Sequence, residues 1–245
     1  MDLKQEIKCK GVRGMKIAGL QKVSMVDYPG YICATVFTQG CNFRCGFCHN
    51  SALMTIDPDF GFSQKEFFEY INHRKSLIEG VCITGGEPTV WPDLPDFARQ
   101  IKETGLKLKL DTNGSNPQMI HDLLQEELLD YIAMDVKTSL AKYYLFKVPE
   151  NTEEVLAQSI QEIISSKIPY EFRTTCVPGI VTEEDMYLIA KTIKGAKKHC
   201  LQQFRPHENM IDEKFSQIKP YDQNKLNNFK SILEGFVESV IIRGI

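Results

Sequence analysis

No apolar run in this 245-residue chain approaches the ~18 residues that cross a bilayer, and the opening Met1-Asp2-Leu3-Lys4-Gln5-Glu6 has no apolar stretch of the signal-peptide kind. Charge of one sign is also missing. With 29 Lys+Arg against 32 Asp+Glu the formal net charge is −3, which leaves no basic field of the kind a dedicated nucleic-acid binder needs. No Pro/Gly/Ser-rich linker breaks the composition. These absences predict a cytoplasmic protein with neither nucleic acid nor membrane as partner. They also predict one domain over 1–245, with a core at about 17–210 and a C-terminal extension at 211–245. Hydrophobic residues at 42% and aromatics at 10% suffice to bury a sizeable core.

Eight cysteines are present: Cys9, Cys33, Cys41, Cys45, Cys48, Cys82, Cys176 and Cys200. A disulfide framework is not expected in a chain without an export signal. Five stand apart and read as small buried hydrophobes. The other three fall within Cys41-Asn-Phe-Arg-Cys45-Gly-Phe-Cys48, a C-x3-C-x2-C spacing. Glycines at 40 and 46 let such a loop turn three sulfurs toward one point. Soft thiolates call for a soft metal or an iron–sulfur cluster. A closed zinc site wants a fourth ligand, for which His49 is the nearest candidate. A [4Fe–4S] cube on three cysteines leaves one iron open instead. The spacing favours the cluster, with zinc as the competing reading.

Three further segments end in chemistry-bearing residues. In Gly80-Val-Cys-Ile-Thr-Gly85-Gly86-Glu87-Pro88 an apolar strand runs into a diglycine, which lets a ligand approach bare backbone or simply forms a turn. In Leu106-Lys-Leu-Lys-Leu110-Asp111-Thr112-Asn113-Gly114 the Leu/Lys alternation predicts a strand with one buried face, closed by an Asx-type turn or by a ligand-facing Asp111. In Asp130-Tyr-Ile-Ala-Met-Asp135-Val136-Lys137 an acid and a base two residues apart share one side of a strand end; an ordinary ion pair is the plain alternative. Arg173, in Tyr170-Glu-Phe-Arg173, and His207, in Phe-Arg205-Pro206-His207, are weaker candidates that also read as a surface Arg and a structural His.

At these residues the chain resembles the radical S-adenosylmethionine (SAM) enzymes, whose hallmark is C-x3-C-x-Φ-C with an aromatic at Φ, here Phe47. Cys48-His49-Asn50 resembles the activating enzymes of glycyl radical proteins. Residues 17–30, followed by FTQGC, are similar to the larger class of activators of anaerobic ribonucleoside-triphosphate reductase. The similarity is densest over 17–50 and continues as separate motifs to about 207. It implies a [4Fe–4S] cluster on Cys41, Cys45 and Cys48, with S-adenosyl-L-methionine on its open iron. It further implies S-adenosylmethionine contacts from Phe47, Cys48, His49, Gly85, Gly86, Glu87, Asp111, Asp135, Val136, Lys137, Arg173 and His207. Glu87 would meet the methionine amino group, Phe47 and His207 the adenine. Asp111, Thr112 and Asp135 would surround a monovalent cation. The implied activity is reductive cleavage of S-adenosylmethionine to a 5′-deoxyadenosyl radical and generation of a glycyl radical on a partner, an anaerobic ribonucleoside-triphosphate reductase. Flavodoxin or ferredoxin would donate the electron. Alternatives are an activase of another glycyl radical enzyme, a small-molecule radical enzyme, or a non-catalytic zinc or iron–sulfur module.

The apolar segments at 32–38, 81–84, 106–110, 131–134, 171–177 and 201–204 alternate with helical patterns, several of them capped. Six strand–helix units predict an α/β fold, an incomplete (β/α)6 barrel of parallel strands with outer helices. A further helix (Leu226, Phe229, Ile232, Leu233) and a last strand at 237–242 are expected in the extension. Every motif falls at the C-terminal end of a strand, where such sheets carry their sites.

Overall fold

A computed structural model describes residues 14–57 and 59–245; Cys9 and most of the N-terminal segment of unassigned role lie outside the described residues. The elements run β1 (Ile17–Ser24), β2 (Cys33–Thr38), α1 (Gln64–Arg74), β3 (Gly80–Gly85), α2 (Leu94–Glu103), β4 (Lys107–Thr112), α3 (Pro117–Gln125), β5 (Tyr131–Asp135), α4 (Thr152–Ser165), β6 (Tyr170–Cys176), α5 (Glu183–Thr192), β7 (His199–Gln203), α6 (Gln223–Glu234) and β8 (Val240–Arg243). Among the described residues, eight strands lie in sequence order in the sheet. β1 is antiparallel to β2, whereas β2/β3, β3/β4, β6/β7 and β7/β8 pair in parallel.

The α/β class and the strand–helix alternation are as expected, and β8 occupies the anticipated place near the end. The strand count is corrected from six plus one to eight, because β1 falls on a stretch legible only as a motif. Its burial explains why: Ile17 and Ala18 are buried but Gln21, Lys22 and Val23 are exposed. A half-covered edge strand shows no sustained period of two. Among the described residues no helix is long and apolar enough to cross a membrane.

The described residues form two compact units. The first comprises 14–42, 52–112 and 118–132 and carries β1–β4. On one face of its sheet, in register, lie Ala34, Val81 and Leu108, then Val36, Ile83 and Leu110, all buried. Its helices present Phe67 and Ile71 from α1 and Leu94, Phe97, Ala98 and Ile101 from α2, with the Phe67 and Phe97 rings 5.2 Å apart. The spacing Ser63-x-x-Glu66 predicts a capping box at the start of α1, and it is present: Ser63 Oγ accepts from the Glu66 amide at 3.2 Å, and Glu66 Oε2 accepts from the Ser63 amide at 2.8 Å. The opposite sheet face carries Thr35, Cys82 and Lys109 in register. Lys109 is only 2% exposed. The Leu/Lys alternation therefore does not mark one buried and one wet face, since parallel strands in α/β folds are covered on both sides.

The second unit comprises 43–51, 113–117 and 133–245 and carries β6–β8 and the end of β5. Phe172 and Leu201 in its strands are buried, as are Leu226, Phe229 and Leu233 of α6. Thr182 and Asp185 form a second capping box at α5, whereas Asn151 makes no side-chain cap to α4. On β6, Glu171 is 1% exposed and receives a bidentate pair from Arg243 of β8 at 2.7 and 2.8 Å, a geometry suited to guanidinium and carboxylate. Two 3-10 turns, Leu140–Phe146 and Glu213–Gln217, lie where no regular element is expected.

Candidate cofactor site

In the first unit the site is built from the ends of β2, β3 and β4. Past β2 the chain passes Gln39 and Gly40 to reach Cys41, which is half-buried. The diglycine turn is bonded to this exit: the Gly86 amide donates to Thr38 O at 2.9 Å and the Glu87 amide to Gly40 O at 2.7 Å. A Cβ on Gly86 would overlap the Gly40 carbonyl oxygen, so only glycine fits here. The Trp91 indole holds the same segment by donating to Gln39 O at 2.7 Å.

Glu87 is 1% exposed. Its Oε1 accepts from the Thr89 amide at 3.1 Å, from the Thr89 hydroxyl at 2.6 Å and from the Thr112 hydroxyl at 2.7 Å. Glu87 thus caps the short turn Pro88–Val90 and ties the end of β3 to that of β4. Asp111, also at the end of β4, is ion-paired with Lys109. The Lys109 ammonium lies 3.6 Å from Cys82 Sγ as donor and 6.0 Å from the centre of the Tyr131 ring.

In the second unit, the Cys48 amide donates to Cys45 O at 3.0 Å and closes a turn that carries both thiols. Cys45 is buried and Cys48 half-buried. Phe47 is buried between Phe146 and Phe215, each ring 5.8 Å away and edge-on. The turn Leu140–Phe146 supports this loop: Arg44 N donates to Phe146 O at 2.9 Å, and the Tyr143 ring lies 6.1 Å from that of Phe43. The Tyr143 hydroxyl also accepts from the Lys137 amide at 2.8 Å.

At the end of β5, Asp135 Oδ1 accepts from Arg173 Nε at 2.8 Å and Oδ2 from Lys137 Nζ at 3.3 Å. Burial pushes this carboxyl up, but the Arg173 and Lys137 charges more than offset it and hold Asp135 at about 2. Val136 is buried, its amide donating to Arg173 O at 2.8 Å and its carbonyl accepting from the Thr174 hydroxyl at 2.6 Å. Asp135, Lys137 and Arg173 are therefore one cluster, and the strand-end ion pair read as the plain alternative is present within it. The Asx-type turn is present too, with Asn113 Oδ1 accepting from the Ser115 amide at 2.9 Å.

The two histidines lie near each other in the second unit, His49 directly after Cys48. His49 Nε2 donates to Arg205 O at 2.8 Å, and its ring is 6.2 Å from that of His207. His207 lies four residues beyond the end of β7, where Nδ1 accepts from the Asn209 amide at 3.0 Å. Both are exposed.

Sequence reasoning missed Lys109, Thr89, Tyr143, Phe146 and Phe215. Only Lys109 left a signal, as a base two residues before an acid on one strand face.

Soft thiol donors are what an iron–sulfur cluster takes. Cys45 and Cys48 share one closed turn, the backbone before Cys41 lies against side-chain-free Gly86, and His49 spends Nε2 on a carbonyl.

Comparison with known proteins agrees with this chemistry. The model of the Radical SAM superfamily matches residues 35–193. A Methanocaldococcus jannaschii protein named as a glycyl-radical enzyme activating enzyme is 36% identical over 94% of this chain and 96% of its own length. The pyruvate formate-lyase-activating enzyme of Clostridium pasteurianum is 28% identical over 91% of this chain and 98% of its own. Among solved structures, Streptococcus suis SuiB bound to S-adenosylmethionine superposes with a TM-score of 0.64 at 14% identity, over 84% of this chain and 48% of that one. Methylornithine synthase superposes at 0.61 and 16% identity, over 83% and 61%. The chain thus spans about half of SuiB, and these two likenesses bear on fold alone. With a family model over well more than half of its length and a relative matched end to end, the chain belongs to the radical SAM superfamily, within its glycyl-radical enzyme activating group.

Proposed function

We propose that this chain binds a [4Fe–4S] cluster through Cys41, Cys45 and Cys48, binds S-adenosylmethionine beside it, and installs a glycyl radical on an anaerobic ribonucleoside-triphosphate reductase. The observation that carries the reading is the cysteine loop, with two thiols on the turn closed by the Cys48–Cys45 bond, in a member of this family. When bound, the cluster and S-adenosylmethionine supply one-electron reductive cleavage of a sulfonium, with hydrogen abstraction as its outcome; the protein's share is placement, electrostatics and exclusion of water.

The residues divide that share. Phe47, gripped by two rings, offers a rigid face to an adenine. Lys137 and Arg173 surround Asp135 with positive charge, suited to a carboxylate-bearing ligand at that strand end. The 85–86 diglycine gives bare backbone at the end of β3, and Glu87 with Thr112 fixes the adjoining strand ends. Flavodoxin or ferredoxin is the proposed electron donor.

The reductase as partner rests on residues 17–50, where similarity to that activator class is densest. The end-to-end match to a formate-lyase activator favours a formate-lyase-type partner as the second reading. The deciding experiment is anaerobic. Purified protein should contain iron and sulfide and convert S-adenosylmethionine to 5′-deoxyadenosine, and Cys45→Ala should lose both while staying folded. Mixing the reduced protein with each candidate partner should give a glycyl radical doublet by EPR with the reductase. A doublet only with the formate-lyase reassigns the partner; zinc without sulfide ends the enzyme reading.

A further inference from the structure

Residues 205–217 lie beyond the 35–193 covered by the family model, and of them only His207, the Arg205 carbonyl and the Phe215 ring have been placed above. In the structure they lie across the cysteine loop. Bonds and contacts join the two segments: His49 Nε2 to Arg205 O at 2.8 Å, Ser51 Oγ to Asn209 O at 2.7 Å, Asp212 N to Gly46 O at 3.0 Å, the His49 ring 6.2 Å from that of His207, and the Phe215 ring against Phe47. Phe215 is 4% exposed, yet it belongs to a five-residue 3-10 turn whose other members are largely polar.

We propose that residues 205–217 are a strap that shuts the cysteine loop from solvent, with Phe215 as its plug and Gly46 as the seat of that plug. A Cβ built on Gly46 would stand 2.6 Å from Phe215 Cε2 and 3.2 Å from Asp212 Cβ, so the aromatic ring fills the place of the side chain that position 46 lacks. The strap side is braced for this. Asp212 Oδ1 accepts from the Lys214 amide at 3.2 Å, Asp212 Oδ2 pairs with the Lys214 ammonium at 2.8 Å, and that ammonium stands 5.0 Å from the Phe215 ring centre. Edge-on contact from Phe215 and Phe146 pins the plane of Phe47. Phe215 is accordingly a positioning residue, acting on the adenine-facing side chain and on access to the thiolates.

A strap held by a few bonds opens more readily than the sheet beneath it, so its closure sets how fast small molecules reach the loop. The inference rests on the reading of this loop as cluster-holding. In anaerobic holoprotein challenged with a ferrous chelator, Phe215→Ala should lose iron about tenfold faster than wild type, the factor that about 1.4 kcal/mol of closure represents, and should bind S-adenosylmethionine more weakly. Phe215→Leu should fall between. Ser51→Ala, which removes one tie and no core volume, should release iron about fivefold faster, as expected for one hydrogen bond. Equal release from the cluster-loaded wild type, Phe215→Leu and Ser51→Ala would overturn the strap and leave the proposed function standing. Wild-type protein without iron and sulfide would overturn that function and the strap with it.

Discussion

Lys109 and Asp111 stand two residues apart on β4 and form an ion pair inside the sheet, with the Lys109 side chain 2% exposed. A buried ammonium without its carboxylate is expensive, and so is the reverse. Lys109→Met should destabilise the fold by about 3–5 kcal/mol, whereas Lys109→Met with Asp111→Asn should recover much of that loss. Denaturant unfolding of the wild type, Lys109→Met, Asp111→Asn and the double variant closes the cycle; additive losses would show that the pair is not coupled.

The same pairing bears on the cation that the family resemblance implies. Asp111 has the Lys109 ammonium, Asp135 has Lys137 and Arg173, and the Thr112 hydroxyl donates to Glu87. Each acid is already balanced by a side chain. S-adenosylmethionine affinity should therefore not change when choline chloride is replaced by potassium chloride at equal ionic strength. Binding calorimetry on the reconstituted protein measures it, and a potassium-dependent affinity would restore the external cation.

His199 on β7 is fully buried, and neither ring nitrogen has a hydrogen-bond partner among the described residues. Burial holds its pKa at about 3, with Glu171 pulling the other way. The unfolded chain therefore takes up this proton first. Stability is complete above pH ~6.5 and falls toward pH 3 by up to about 1.4 kcal/mol per pH unit. In His199→Leu that slope between pH 6.5 and 4.5 should flatten. Thermal unfolding across this range checks it, and parallel curves for the two proteins would assign the acid sensitivity elsewhere.

Gly86→Ala should be among the most damaging single substitutions, since its methyl group would collide with the Gly40 carbonyl beside the cysteine loop. We expect loss of several kcal/mol, as for other overpacked sites, together with poor iron retention. Gly105→Ala, at a turn where a Cβ meets nothing within 4 Å, is the control. It carries only the cost of its positive φ, about 1 kcal/mol. Comparable Tm losses in the two variants would remove the steric argument.

Much of this was legible in the residues. The helix start at Ser63 follows from its capping partner Glu66, and the cysteine loop and strand-end acids follow from spacing and alternation. What escaped has physical causes. β1 buries apolar side chains only at one end, with Val23 exposed at the other, and so shows no period. Lys109 was hidden because alternation names two faces without saying that both are covered. Phe215 lies in a polar stretch where a single aromatic has no periodic company. Glu87 was legible as an acid at a strand end, but sequence could not foretell that Thr89 and Thr112 would converge on its Oε1.

The turn from 140 to 146 has a consequence for how this chain can vary. Tyr143 gives its oxygen to the amide of Lys137, while its neighbour Phe146 offers a carbonyl to Arg44 and a ring to Phe47. One short 3-10 segment thereby sets the posture of two loops that are far apart in the chain. A change at Tyr143 would be felt at both at once, so these loops are free to diverge only in concert.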